Sequence, residues 1–259
     1  MTEDLNVIWS SASDEQRAQW MSTLSDSVSL RESHPTLEHI LCRAIFSHDF
    51  DLVRACLSKG VKLDCWVHES VGACLSIDLM EILIPAGLDV NYNLGRQGYY
   101  VTMAVQKNDI SLTKYLLEHG AGVNKPGVTY RFPALTLAVL NGNAEMVELL
   151  IQHGAQINGS GALGMAAAHC KFKMMDLLLK HGVDVNINDN NPKTNRLRLI
   201  MGNKDFTALH EAASAGHFDV VVYLIKHGAN PNLQEARGRT PSMLARENGH
   251  WEVVELLDK

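Results

Sequence analysis

Four histidines stand directly before a glycine at the end of an apolar run: His119, His153, His181 and His227. Neutral imidazole is the commonest metal ligand, so a recurring His is first tested as a row of metal ligands. His169 and Cys170, in "GMAAAHCKF", have the residue types of a thiolate nucleophile and its base. The five cysteines (Cys42, Cys56, Cys65, Cys74 and Cys170) are odd in number and lack C-x-x-C spacing, which fits reduced thiols better than a disulfide frame or a zinc site. There is no P-loop, H-E-x-x-H or G-x-S-x-G motif in the chain.

The elements that must carry these residues follow from a recurring phrase. "YLLEHGAGVN", "LLIQHGAQIN", "LLLKHGVDVN" and "YLIKHGANPN" each end a helical apolar run with His-Gly and place Asn four residues after the Gly. With that glycine as a ruler, Gly60, Gly87, Gly120, Gly154, Gly182 and Gly228 are separated by 27, 33, 34, 28 and 46 residues. The residues four further on are Asp64, Asn91, Asn124, Asn158, Asn186 and Asn232. The losses and the one gain of length fall between the Asn and the next helix, where connections tolerate length changes cheaply. "TALHEAASAGHFDVVVYLIKHGANPN" shows the unit most fully: Thr207 caps a first helix, Ala212 and Ala213 allow close packing, and Gly216 reverses the chain. Val220, Val221, Leu224 and Ile225 then form one face of a second helix that Gly228 ends.

These residues resemble the ankyrin repeat, whose pattern runs approximately G-x-T-P-L-H-x-A-A-x-x-G-H, an apolar helix, then G-A-x-x-N. "TALHEAASAGHFDVVVYLIKHGANPN" and "GRTPSMLARENGHWEVVELL" carry the resemblance most specifically. Between Leu37 and Asn91 only the outer-helix apolar residues and the closing Gly persist. The expected fold is all-α: an ankyrin-repeat solenoid of about seven helical hairpins over 37–259, with a long inserted loop at about 187–206. A leader and capping helix are expected in 1–36, from "SASDEQRAQWMSTLSDSV". Glu252, Glu255 and Asp258 on the last helix read as the solvated face of a terminal cap.

On this frame the four histidines become punctuation. Each falls in the last turn of a helix, where a partly cationic ring favours the negative end of the macrodipole. Stacked repeats lie about 10 Å apart, too far for one metal to be shared. The resemblance implies that Thr207 and His210 make the hydrogen bonds that fix a helical hairpin. Met243 and Gly164 stand where that His is expected in two other repeats. His169 and Cys170 fall at a turn, adjacent residues there seldom point at each other, and no orienting acid is identifiable. No catalytic residue, metal ligand or cofactor is therefore expected.

The resemblance implies a partner-binding concave face built from the connections and first helices. Carried onto this chain, it selects the connection residues Tyr130, Arg131, Phe132, Phe206, Arg237 and Arg239. It also selects the inner-helix turn residues Gln106, Lys107, Asn141, His169 and Ser214. Aromatic and Arg side chains are the usual anchors of interfaces, although Phe132 and Phe206 could equally pack under their own connections. Changing both to Ala is expected to leave the fold intact and to weaken partner capture. In the insert, Lys193, Arg196, Arg198 and Lys204 are interleaved with Leu197, Leu199 and Ile200, which suits packing on something, with the basic residues either meeting an acidic ligand or belonging to a solvated loop.

The expected function is non-catalytic recognition of another protein, as an adaptor, inhibitor or targeting subunit. The alternative is an enzyme or small-molecule binder, with a pocket near Tyr99, Tyr100, Tyr130, Arg131, His169 and Phe206 that the insert closes. With 46% hydrophobic residues, 20% charged residues and a net charge of −6, the chain reads as folded and lacks a basic field for nucleic acid. No stretch approaches the roughly 18 to 20 apolar residues of a membrane span, and no export signal is visible. The expectation is a cytoplasmic protein, with the nucleus also open.

Overall fold

The computed structural model describes residues 36–125, 132–188 and 206–259, and these contain fourteen α-helices and no strand. The capping helix expected in 1–36, Tyr130, Arg131 and nearly all of the 187–206 insert lie outside the described residues. The chain divides into two compact units, the first ending at Asp89 and the second beginning at Val90.

In unit 1 the helices are α1 (Leu37–Phe46), α2 (Phe50–Ser58), α3 (Cys65–Ala73) and α4 (Ile77–Leu83). In unit 2 a 3₁₀ turn at Gly95–Gln97 leads into five hairpins. Their helices are α5 (Tyr100–Gln106), α6 (Ile110–Glu118), α7 (Ala134–Asn141), α8 (Ala144–Gln152), α9 (Ala162–Ala168), α10 (Phe172–Lys180), α11 (Ala208–Ser214), α12 (Phe218–Lys226), α13 (Pro241–Glu247) and α14 (Trp251–Leu257). Several helices start where short polar side chains accept from the exposed N–H groups of the first turn. Asp49, Asp64, Asp109 and Asn143 cap α2, α3, α6 and α8 at 2.9–3.1 Å.

Within unit 2 each first helix packs on the next: α5 on α7, α7 on α9, α9 on α11 and α11 on α13. Buried alanines Ala104, Ala138, Ala166, Ala167, Ala212, Ala213 and Ala245 permit that approach. The contact of α9 with α11 spans the long insert, so the extra length is absorbed in the connection and leaves the stack in register. The hairpin turns need a left-handed residue, and Gly216 supplies it at φ 73° with the His250 ring where a Cβ would stand. At the matching turns His48, Asn108 and Cys170 adopt the same conformation despite their side chains.

The asparagine of the recurring phrase ties each repeat to the next. Asn91 donates to the Gly120 carbonyl at 2.9 Å and accepts from Gly122 N–H at 2.8 Å. Asn124 does the same with Gly154 and Gln156, and Asn186 with Gly228 and Asn230. Asn158 accepts from Asp184 N–H at 3.1 Å. One amide supplies both a donor and an acceptor, so it pairs two backbone groups of the neighbouring repeat at once.

Candidate protein-interaction face

The helix-end histidines are structural. Nδ1 of His119, His153 and His227 lies 2.8–2.9 Å from the carbonyl oxygens of Tyr115, Leu149 and Tyr223. A carbonyl only accepts, so each ring nitrogen carries a proton and adds a second donor to a last-turn carbonyl that already accepts the backbone N–H of the same histidine. His181 instead meets Glu148 of the preceding repeat, Nε2 to Oε2 at 2.8 Å. Among the described residues no group of three or more His, Cys, Asp or Glu side chains is placed to hold a metal ion.

Thr207 and His210 lock the start of α11. The Thr207 N–H donates to His210 Nδ1 at 3.2 Å, which fixes the proton on Nε2, and Nε2 donates to the Arg239 carbonyl of the next repeat at 3.2 Å. Burial is the main cause of the lowered pKa of His210, and the nearby Glu235 opposes it. Where α7 has Thr136 instead of His, its hydroxyl donates to the Ser160 carbonyl at 2.8 Å, the same register position before the next N-cap. A smaller side chain therefore does the same work across that repeat pair.

The partner-binding residues expected from the sequence are placed very differently from one another. Phe206 is only 4% exposed, and its ring stacks on His210 and lies under the Arg239 guanidinium, 5.9 Å from its centroid. This corrects the expectation that truncating Phe206 leaves the fold intact, because its ring fills the core beneath its own connection. Arg239 is engaged as well: its Nε donates to Glu235 at 2.9 Å and its Nη1 to Glu247 at 3.0 Å. Burial works to raise the pKa of Glu235, but hydrogen bonds from Arg239 and from the Arg237 and Arg239 backbone outweigh it and hold the carboxyl low. Arg237 is exposed at the tip of this turn, and Phe132 is half-buried before α7.

His169 and Cys170 are both exposed, and neither side chain makes a hydrogen bond or ion pair with a described residue. A nucleophile needs a base within hydrogen-bond reach and a group that orients it, and this turn shows neither. Of the residues suggested for a small-molecule pocket, Tyr100 and Phe206 are buried in the core.

A different set of residues comes together on the first helices of unit 2. Met103, Leu137 and Met165 occupy one register position of α5, α7 and α9, and each is half-buried. Leu140 and Ala168, one turn further on, are half-buried too. Because α5, α7 and α9 pack side by side, these positions form an apolar strip across three repeats. Gln106, Lys107, Asn141 and His169 are exposed along the turn edge of this strip, and Glu211 and Ser214 continue it on α11. Sequence reasoning found the edge and missed the strip, since α7 reads "ALTLAVLN" and has no polar face before Asn141 to show which side is left uncovered. In unit 1 it also missed Phe46 at 53% exposure on α1 and Trp66 at 67% on α3.

The fold and this face define a helical-repeat protein that presents a preformed surface. The family model for ankyrin repeats, in three copies, matches residues 67–160, 101–189 and 190–259. The chain belongs to the ankyrin-repeat family, a class of protein-interaction modules. It is 47% identical over 49 residues to the probable E3 ubiquitin-protein ligase XBOS33 of Oryza sativa subsp. japonica, covering 19% of this chain and 9% of that protein. It is 40% identical over 67 residues to the probable ligase XBOS32 of the same species, covering 26% and 13%. With Rabankyrin-5 of Mus musculus the identity is 47% over 51 residues, covering 20% and 4%. The matched segments thus span a small part of these relatives. No described helix is long and apolar enough to cross a membrane.

Proposed function

We propose that the chain is a non-catalytic recognition subunit that captures another protein on the first-helix face of unit 2. The observation that carries this reading is the apolar strip of Met103, Leu137, Leu140, Met165 and Ala168, half-exposed on packed helices. Methionine-rich surfaces adapt to the partner's shape, and a rigid scaffold beneath them loses little ordering entropy on binding. Of the expected contact set, Phe132 lies before α7 and His169 at the turn after α9, at the ends of two helices that carry the strip, whereas Arg237 is exposed further along the array, before α13. Two relatives are named as ubiquitin ligases, and recognition of a protein to be modified is one setting in which such a face serves; no ligase chemistry is assigned to this chain.

The test uses the molecule's own tolerance. Glu211 occupies on α11 the register position of Leu137 and Met165, so glutamate is compatible with the fold there. The double variant Leu137→Glu, Met165→Glu should keep its helical circular dichroism and lose the proteins recovered by affinity capture with the parent chain. Recovery of the same proteins at the same yield would sink this placement of the face.

A further inference from the structure

Unit 1 carries a second surface that the first-helix face does not use. The helices α6, α8 and α10 of unit 2 pack against one another, whereas between α2 and α4 of unit 1 a groove of about 680 Å³ opens. Phe50, Arg54 and Leu57 line it from α2 at spacings of four and three residues, one face of that helix. Asp78, Glu81 and Ile82 line it from α4. Phe50, Leu57 and Ile82 are half-buried and form an apolar floor, while Asp78 and Glu81 are exposed at its edge.

The charges on this groove are unequal. The Arg54 guanidinium already bridges to Asp51 of its own helix at 3.3 Å. The carboxylates of Asp78 and Glu81, both exposed, make no hydrogen bond or ion pair with a described residue. Between residues 36 and 89 there are eight Asp or Glu against four Lys or Arg, so the field around the groove is negative. An uncharged apolar occupant would cover two carboxylates without giving them partners, which costs free energy. An acidic occupant would be repelled. An occupant with apolar residues on one stripe and cations beside it satisfies both floor and edge.

We propose that the groove between α2 and α4 docks a basic amphipathic helix from another protein. The walls are two helices with no strand edge between them, and α2 is about 13 Å long at 1.5 Å per residue, room for two turns of a partner helix. Leucine or isoleucine at i, i+3 or i+4 and i+7 would fill the floor, with Lys or Arg on the flank meeting Asp78 and Glu81. Charge pairing sets register and orientation, and the apolar floor supplies the driving force.

The experiment measures fluorescence anisotropy of a dye-labelled, helix-forming peptide of Leu, Ala and Lys, with leucines at i, i+3, i+4 and i+7 and lysines beside them, added to the full chain. Reversing the edge with Asp78→Lys, Glu81→Lys should weaken binding at least about tenfold, as losing two charge pairs implies. Asp78 lies in the first turn of α4, so Asp78→Asn, Glu81→Gln removes the charges without placing cations at that helix start. This second variant should weaken binding about fivefold. Reversing two acids on the first helices, Glu38→Lys with Glu69→Lys, should change little, as should the Leu137→Glu, Met165→Glu variant. Equal weakening by the first-helix reversal, or full binding by the edge variants, would overturn the proposal.

Discussion

The two units use the same hairpin and join their repeats differently. In unit 2 the residue four after the helix-ending glycine is Asn, and Asn124 both donates to Gly154 and accepts from Gln156 of the next repeat. In unit 1 the corresponding residue is Asp64, and its carboxylate accepts from Val67 N–H at the start of its own helix. A carboxylate has no donor for a carbonyl, so Asp64 can cap a helix but cannot reproduce the paired link. Charge follows the same division: residues 90–259 hold 17 Lys or Arg against 15 Asp or Glu, whereas 36–89 is plainly acidic. One phrase of sequence thus builds a laddered, near-neutral stack in one region and a negatively charged surface in the other.

The contrast can be broken at its strongest point first. Phe206→Ala removes a buried ring from beneath the connection into α11 and should destabilise unit 2 by about 3 kcal/mol, as buried Phe truncations do. Urea denaturation followed by tryptophan fluorescence would measure it, and a loss below about 1 kcal/mol would show that the ring is not a core element. A smaller effect sharpens the comparison directly. Asn124→Asp keeps the acceptor, deletes the donor and sets a carboxylate against the Gly154 carbonyl, so it should cost about 1 kcal/mol. Asp64→Asn keeps the cap of α3 and should cost nothing measurable. If the two substitutions have equal effects, the ladder does not distinguish the units.

The smallest expected effect is shared by both units. Burial lowers the pKa of His68 in unit 1 and of His210 in unit 2 below the ordinary 6.5. Near pH 6.5 the unfolded chain therefore takes up protons that the folded chain refuses, so stability is complete above that pH and is lost as pH falls towards the folded values. In unit 2 the reason is visible, because protonated Nδ1 of His210 could no longer accept from Thr207. Hydrogen exchange across this range should show both units loosening, and His210→Gln should flatten the response of α11 while leaving that of α3. An unchanged α11 response in this variant would remove His210 as the cause.

The repeat register was legible without coordinates, and so were the helix-ending glycines and the reading of His119, His153 and His227 as punctuation. Those features are set by local rules: apolar spacing along one helix, a left-handed exit, and an imidazole within reach of a carbonyl four residues back. The Thr207 and His210 pairing was legible through its motif. The link from Asn124 to Gly154 was hidden in plain sight, since the ruler located the residue but its partners are 30 and 32 residues away.

Tertiary structure alone decided which connection residues face water. Phe132 and Phe206 occupy the same kind of position before a first helix, and one is half-buried while the other lies under Arg239 and against His210. It also decided that Leu137 and Leu140 stay partly uncovered on a helix whose one polar residue before Asn141, Thr136, is buried, and that α2 and α4 leave a groove with unpaired carboxylates at its edge. Sequence periodicity reports the covered face of a helix only when the opposite face is polar. Where a helix lacks a polar face, as α7 does before Asn141, burial is set by neighbours one repeat away, through contacts that local spacing does not encode.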